Sequence, residues 1–332
     1  MNWILFLGVV ISFVATLLLT PQWIKRAKKA QLTGRDMHKL EHREVAEMGG
    51  IVVLVGFLGG ALFYIALRTF VFNDIGYQIN LGMMAAITTT LIIAIIGIMD
   101  DILGWKLGLR QHQKPILCAL AALPLMVVNA GISIVTLPFL GPINLGLVYP
   151  IILIPLIITI TANGFNMLAG YNGLEAGQGI IILATLGIAS WITGATHITM
   201  ICFIMVAALI AFLYFNLPPA KVFPGDVLTY TVGALIGIVA ILGNMERVLL
   251  LLFIPYIIEF FLKLRGKFRK ESFARVLPNG SLANKYSNIY GLEHFAILLI
   301  RKIKKFAYER EVVFLLYGFQ IIMALLAVFL LV

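Results

Sequence analysis

Ten runs of sixteen to nineteen mostly apolar residues leave few folds open to this chain. They lie at 3–20, 49–67, 81–99, 114–130, 146–161, 177–193, 197–215, 227–243, 247–264 and 313–331. At about 1.5 Å of rise per residue, such a run crosses most of a hydrocarbon layer about 30 Å thick. Backbone N–H and C=O groups find no water in lipid, so each run must satisfy its hydrogen bonds internally, as a helix. The expected fold is therefore all-α, a polytopic membrane protein of about ten transmembrane helices in a single domain, 1–332. Hydrophobic residues make up 61% of the chain and charged residues 12%, with no polar block long enough to form a separate soluble unit. The run at 3–20 has no basic leader and no small-residue cleavage site, so it reads as a retained helix rather than a signal peptide. Cys118 and Cys202 lie inside apolar runs and imply no disulfide framework.

The charges orient the runs. Of 25 Lys and Arg residues, only Arg68 and Arg247 fall at the connectors 68–80, 131–145, 194–196 and 244–246. All the others lie on or beside 21–48, 100–113, 162–176, 216–226 and 265–312. The positive-inside bias makes the second set cytoplasmic and puts both termini on the non-cytoplasmic side. Losing or adding one run would scatter the basic residues over both faces. The run at 146–161 contains Pro150 and Pro155 and is expected to be kinked, which neighbouring helices allow. Glu259 is the one acid set inside a run, which argues against an ion-coupled transporter with ionisable groups near mid-membrane. The net charge of +10 suits a bilayer surface and anionic substrates, with no nucleic acid expected.

The informative polar residues gather on the cytoplasmic face. Asp100 and Asp101 close the third run in I-G-I-M-D-D-I-L-G-W-K. Adjacent carboxylates repel unless they share a cation or a proton, and a helix C-terminus is already partly negative. The pair suits a divalent metal or phosphate chemistry, with a solvated loop start as the plainer alternative. Lys114 opens the fourth run, either snorkelling to the interface or neutralising a phosphate. The stretch Asn163–Gln178 reads N-G-F-N-M-L-A-G-Y-N-G-L-E-A-G-Q. Asn163 and Asn166 share a face if that segment is helical. Amide oxygens are hard, neutral ligands for Mg²⁺, and helix capping is the other common use of Asn. Gly170, Gly173 and Gly177 permit tight turns and close approach of a ligand, and Glu175 can orient the loop.

Phe223-Pro224-Gly225-Asp226 immediately precedes the eighth run. Asp226 fits an N-cap or a metal ligand, and Phe223 an interfacial ring or a platform for a base. Asp36, His38, Lys39 and Glu47 are undistinguished candidates on the first cytoplasmic connector. His38 and His42 are spaced i, i+4 but lack a third soft ligand, which argues against a metal pair. Segment 265–312 carries Arg265, Lys267, Arg269, Lys270 and Arg275, suited to anionic lipid heads, with one or two free to clamp a diphosphate. Residues 295–306 read as a basic interfacial helix.

Together these clusters resemble the polyprenyl-phosphate N-acetylhexosamine-1-phosphate transferases. That family has a D-D pair after its third helix, an N-x-x-N-rich loop after its fifth and a G-D motif before its eighth. The order and positions match across nearly the whole chain. The loop resembles the archaeal and eukaryotic dolichyl-phosphate branch. The bacterial branches carry D-G-x-D-G where this chain has Ala169-Gly170 and Asn172-Gly173.

The resemblance implies transfer of GlcNAc-1-phosphate from UDP-GlcNAc to dolichyl phosphate or a similar polyprenyl phosphate, the first step of lipid-linked N-glycan assembly and the expected target of tunicamycin. The alternatives are a bacterial-type transferase acting on undecaprenyl phosphate with another UDP-amino-sugar, or a transporter. It further implies Mg²⁺, or Mn²⁺, held by Asn166 and Asp226, and a catalytic group of Asp100, Asp101 and Lys114. Met37, Glu47, Gly170, Asn172 and Phe223 match uridine contacts, with Asn163 shaping the loop beside them. Eukaryotic members contact diphosphate and sugar through an R-H-R-I-P-R-like motif. The nearest text here is Phe268–Arg275, so Arg269, Lys270 and Arg275 are the expected cations. The cytoplasmic loops would build the active site of one transmembrane catalytic domain. The membrane would be the plasma membrane in an archaeon or the endoplasmic reticulum in a eukaryote, and a homodimer is the family-level expectation.

Overall fold

The computed structural model describes residues 3–41, 43–72, 76–137 and 141–331. In chain order the elements are α1 (Leu7–Lys29), β1 (Thr33–Arg35), β2 (Glu44–Ala46), α2 (Gly50–Ala66), α3 (Tyr77–Leu107), α4 (Gln113–Ala121), α5 (Leu123–Val127), β3 (Ile134–Leu137) and β4 (Gly141–Asn144). These are followed by α6 (Ile154–Met167), α7 (Leu174–Ile192), α8 (Thr196–Asn216), α9 (Gly225–Leu242), α10 (Glu246–Leu252), α11 (Ile254–Arg265), β5 (Arg275–Val276), β6 (Leu282–Ala283), α12 (Leu292–Lys304) and α13 (Glu309–Phe329). The protein is a polytopic helical membrane protein, and among the described residues its strands form three short antiparallel hairpins in connectors.

Among the described residues, eight helical segments are long and apolar enough to cross a membrane by length and composition. The expected fourth and ninth spans are not single helices. α4 and α5 are separated at Ala122, ahead of Pro124, and together reach only Val127. α10 and α11 are separated at Phe253, ahead of Pro255. A proline is accommodated where a helix starts, because its missing N–H would have had no intrahelical partner there. The expected kink at 146–161 appears as a π-helical turn, Tyr149–Leu153, leading into α6 with Pro155 in its first turn. Several helices run past the boundaries read from hydropathy. α3 keeps Asp100 and Asp101 within its last turns, and α6 carries Asn163 and Asn166 in helical register.

The core is centred on α9, whose residues from Val227 to Ile241 are all buried. It packs against α2, α3, α6 and α7, while α1 packs on α2 and α8. Lipid offers little hydrophobic drive for helix association, so small residues that allow close packing supply much of the contact. A Cβ on Gly233 would come within 2.6 Å of the Thr161 carbonyl oxygen on α6, and one on Gly97 of α3 within 2.7 Å of the Val227 Cα. These approaches bring the C-terminal ends of α3 and α6 to the N-terminal end of α9, and the polar residues meet there.

Candidate active site

The N-terminus of α9 organises the site. Gly225 has φ +71°, a left-handed conformation that favours glycine. A Cβ there would also lie 2.5 Å from Asp101 Oδ2. With the backbone so turned, the N–H groups of Asp226 and Val227 donate to the two Asp101 carboxylate oxygens at 2.8 and 3.0 Å. Asp101 thus caps α9 from a neighbouring helix, where negative charge meets the positive end of the helix dipole.

Successive helical residues point about 100° apart, so Asp100 takes a different direction. Its Oδ1 accepts the Leu109 N–H at 2.6 Å, and its Oδ2 pairs with the Lys114 ammonium. Lys114 Nζ also lies 3.0 Å from Asp226 Oδ2 and 5.5 Å from the centre of the Tyr230 ring. Asn166 Nδ2 donates to Asp226 Oδ1 at 2.9 Å and to Thr229 Oγ1 at 2.8 Å. Helices α3, α4, α6 and α9 therefore each contribute one or two groups to a single ionic cluster.

A second wall is built from connectors. Asn172 is buried, and its Nδ2 donates to Asp36 Oδ2 at 2.9 Å. Its backbone N–H donates to Glu309 Oε1, at the start of α13, at 3.0 Å. Glu309 also pairs with Lys39 and with His38 Nδ1 at 3.4 Å. The His38 ring lies 4.1 Å from that of Tyr171 and 5.7 Å from that of Phe273. Gly170, at φ +106°, donates its N–H to Glu175 Oε1 at 2.7 Å. Burial raises the Glu47 carboxyl above its ordinary range.

The two walls enclose a cavity of about 560 Å³, within the range of small-molecule sites. Of the candidates read from the sequence, Met37, Glu47, Asp100, Asp101, Lys114, Asn166, Gly170, Asn172, Phe223 and Asp226 line it. Asn163 is not among its lining residues. It lies one helical turn before Asn166, donates to the Thr159 carbonyl at 2.8 Å and accepts from Tyr230 OH at 3.3 Å. Arg269, Lys270 and Arg275 are exposed and also outside the lining. Lys270 Nζ sits 4.9 Å from the centre of the Tyr286 ring, and Arg275 lies on β5. Of the His38–His42 pair, His42 lies outside the described residues, and His38 is engaged with Glu309.

Sequence reasoning missed Arg35, Tyr171, Asn216, Thr229 and Phe273 as lining residues. Thr229 was the most accessible of these, one turn after Asp226 on α9. Asn216 anchors the loop by accepting the Gly173 N–H at 3.0 Å and donating to the Val222 carbonyl at 2.8 Å, contacts between segments that no local pattern signals.

The donor set fits a hard divalent cation. Asp100 and Asp226 converge on the one ammonium of Lys114, and Asp101 lies behind Asp226 as the cap of α9. Among the described residues the Asn166 amide oxygen takes no hydrogen bond, because both contacts of that side chain run through Nδ2. Carboxylate and amide oxygens are the ligands Mg²⁺ prefers.

Residues 83–244 match the family description "Glycosyl transferase family 4". The chain is 40% identical over 326 residues to a Saccharolobus solfataricus protein provisionally named a UDP-N-acetylglucosamine–dolichyl-phosphate N-acetylglucosaminephosphotransferase, covering 98% of this chain and 96% of the relative. A Dictyostelium discoideum protein of the same name is 33% identical, covering 78% of this chain and 72% of its own. A Wolbachia phospho-N-acetylmuramoyl-pentapeptide-transferase is 31% identical, covering 75% and 77%.

Proposed function

The chain belongs to glycosyl transferase family 4, and from that premise we propose that it transfers GlcNAc-1-phosphate from UDP-GlcNAc to dolichyl phosphate, giving GlcNAc-diphosphodolichol and UMP. The observation that carries this reading is Lys114 held between Asp100 and Asp226, with Asn166 alongside, at one end of the cavity. The similarity to the dolichyl-phosphate enzymes runs over more of the chain, and at higher identity, than that to the pentapeptide transferase.

Phosphoryl transfer asks for positioning and charge neutralisation more than for covalent chemistry. Asp226 and the Asn166 oxygen would hold Mg²⁺, which when bound offsets the charge of the two phosphates. Lys114 faces the same region and stabilises the charge developing at the reacting phosphorus, while Asp100 fixes its orientation. Asp101 acts through α9, setting the position of Asp226. Asn172, Gly170, Glu47, Met37 and Phe223 form the wall that would hold the uridine. The acceptor is a phosphate monoester with a second pKa of about 6, so it is largely ionised near neutral pH and needs no strong base. Its oxygen bonds to the sugar-bearing phosphorus as the bridging oxygen departs with UMP. The Lys and Arg asymmetry supports a cytoplasmic cavity with both termini opposite.

The test is UMP release by purified protein in detergent with dolichyl phosphate. UDP-GlcNAc should support turnover that EDTA abolishes and Mg²⁺ restores, with UDP-MurNAc-pentapeptide and undecaprenyl phosphate inactive. Turnover with the latter pair alone would favour the bacterial-type reading. Binding of UDP-GlcNAc without any UMP release would defeat the enzymatic one.

A further inference from the structure

The cavity lining is strongly acidic for a site that receives a diphosphate. Six carboxylates face it, from Asp36, Glu47, Asp100, Asp101, Glu175 and Asp226. Among the described lining residues only Arg35 and Lys114 are basic. Lys114 is already shared by two carboxylates, so it brings little net positive charge. Asp101 and Glu175 are committed to backbone N–H groups, so a divalent metal at Asp226 and the shared Lys114 would offset the remaining acids without a cation to spare for the phosphates. Such a ligand needs a further cation, and the three basic residues expected to supply it, Arg269, Lys270 and Arg275, do not line the cavity.

Arg35 stands apart in two respects. Its guanidinium has no hydrogen bond or ion pair among the described residues, so it enters no internal ionic cluster. Its backbone is nonetheless fixed. The neighbouring Gly34 lies so close to Glu47 that a Cβ would fall 2.1 Å from Oε1. On the other side, Asp36 is held by Asn172 and by the His38 N–H at 3.1 Å. The strand pairing Arg35↔Glu44 completes the frame. A backbone framed by these contacts thus presents at the cavity edge an exposed guanidinium without a partner among the described residues, the group whose planar fork suits two phosphate oxygens at once.

We propose that Arg35 binds the diphosphate of the nucleotide sugar, in the role expected of the basic residues at 269–275. This assignment rests on reading the cavity as a nucleotide-sugar site. Arg35 is a substrate-binding residue here and takes no part in bond making. A charged hydrogen bond of this kind affects binding about ten- to hundredfold.

The experiment measures UMP release and inhibition by free uridine for wild type, Arg35→Ala, Arg35→Lys and Arg275→Ala, with melting temperatures to show that each is folded. Arg35→Ala should raise KM for UDP-GlcNAc at least about tenfold and leave uridine inhibition unchanged, with Arg35→Lys between it and wild type. A KM for Arg35→Ala within threefold of wild type would overturn the assignment, as would a parallel loss of uridine inhibition. A raised KM in Arg275→Ala with Arg35→Ala unaffected would move the cation to the later loop. Absence of UMP release in the wild type is a separate result, striking at the transferase reading and not at Arg35 alone.

Discussion

Adjacent residues with the same side chain have different duties in this site. Asp100 faces Lys114, whereas Asp101 caps α9. Asp100→Ala should therefore lower UMP release while leaving the melting temperature close to wild type. Asp101→Ala removes two bonds to helix N–H groups and should lower stability as well, by about 1–2 kcal/mol for a lost cap, read as a lower melting temperature in detergent. Asp226→Ala and Asn166→Ala should each reduce UMP release at least about a hundredfold, the scale of losing one electrostatic contact to the transition state. Near-normal turnover by a folded Asp226→Ala protein would sink the metal assignment. Most of this cluster was legible in the sequence, because acids and amides at the ends of apolar runs have few other uses. The split between Asp100 and Asp101 was not, since it depends on where α9 begins relative to α3. That Arg269, Lys270 and Arg275 do not line the cavity has a similar cause. Basic residues near a membrane face suit lipid heads as well as phosphates, and only three-dimensional placement separates the two.

Helices set how close these residues can come. Gly233 lets α9 lie against the α6 backbone, and a branched side chain there would have to separate the two helices that carry Asp226 and Asn166. Gly233→Leu is expected to abolish activity and to shift the protein toward aggregates in size-exclusion chromatography; a monodisperse, active variant would contradict the packing argument. The α11–α12 contact makes a pH-dependent prediction. Glu293 is fully buried in α12, facing Glu259, Lys263 and Ser272. Burial, and then the Glu259 carboxylate, pushes its carboxyl from 4.5 up to about 8. A raised folded-state pKa gives a contribution to stability that is complete below about pH 4.5 and is lost as pH rises toward about 8. Glu293→Gln stays neutral throughout, so its melting temperature relative to wild type should rise between about pH 5 and pH 8.5. A constant difference across that window would refute it. Hydropathy located most helices, because lipid leaves a spanning chain little choice. It missed the breaks at Ala122 and Phe253, since an interrupted helix and a continuous one have the same composition.

At the scale of the molecule, the site is assembled from segments far apart in the chain. Glu309 joins α13 to Lys39 and to Asn172, contacts that span 270 and 137 residues. Lys39 and Asn172 themselves belong to different connectors, and the loop around Ala274 joins them through His38, whose Nε2 accepts the Ala274 N–H at 3.3 Å. Motifs along the sequence identified what the site contains, but gave no sign that the last helix completes it. Glu309→Gln should raise KM for UDP-GlcNAc about threefold to thirtyfold, less than the loss of a direct charged contact because Glu309 acts through Asn172, with a smaller effect on kcat. There is also a consequence for how the protein is made. The ribosome delivers Asp100, Lys114, Asn166 and Asp226 to the membrane well before Glu309, so the ionic cluster can form while the nucleotide wall still lacks its anchor. A chain stalled before residue 309 would carry the proposed metal ligands without the anchor of the proposed nucleotide wall, and substrate affinity would be gained only as α13 enters the bilayer.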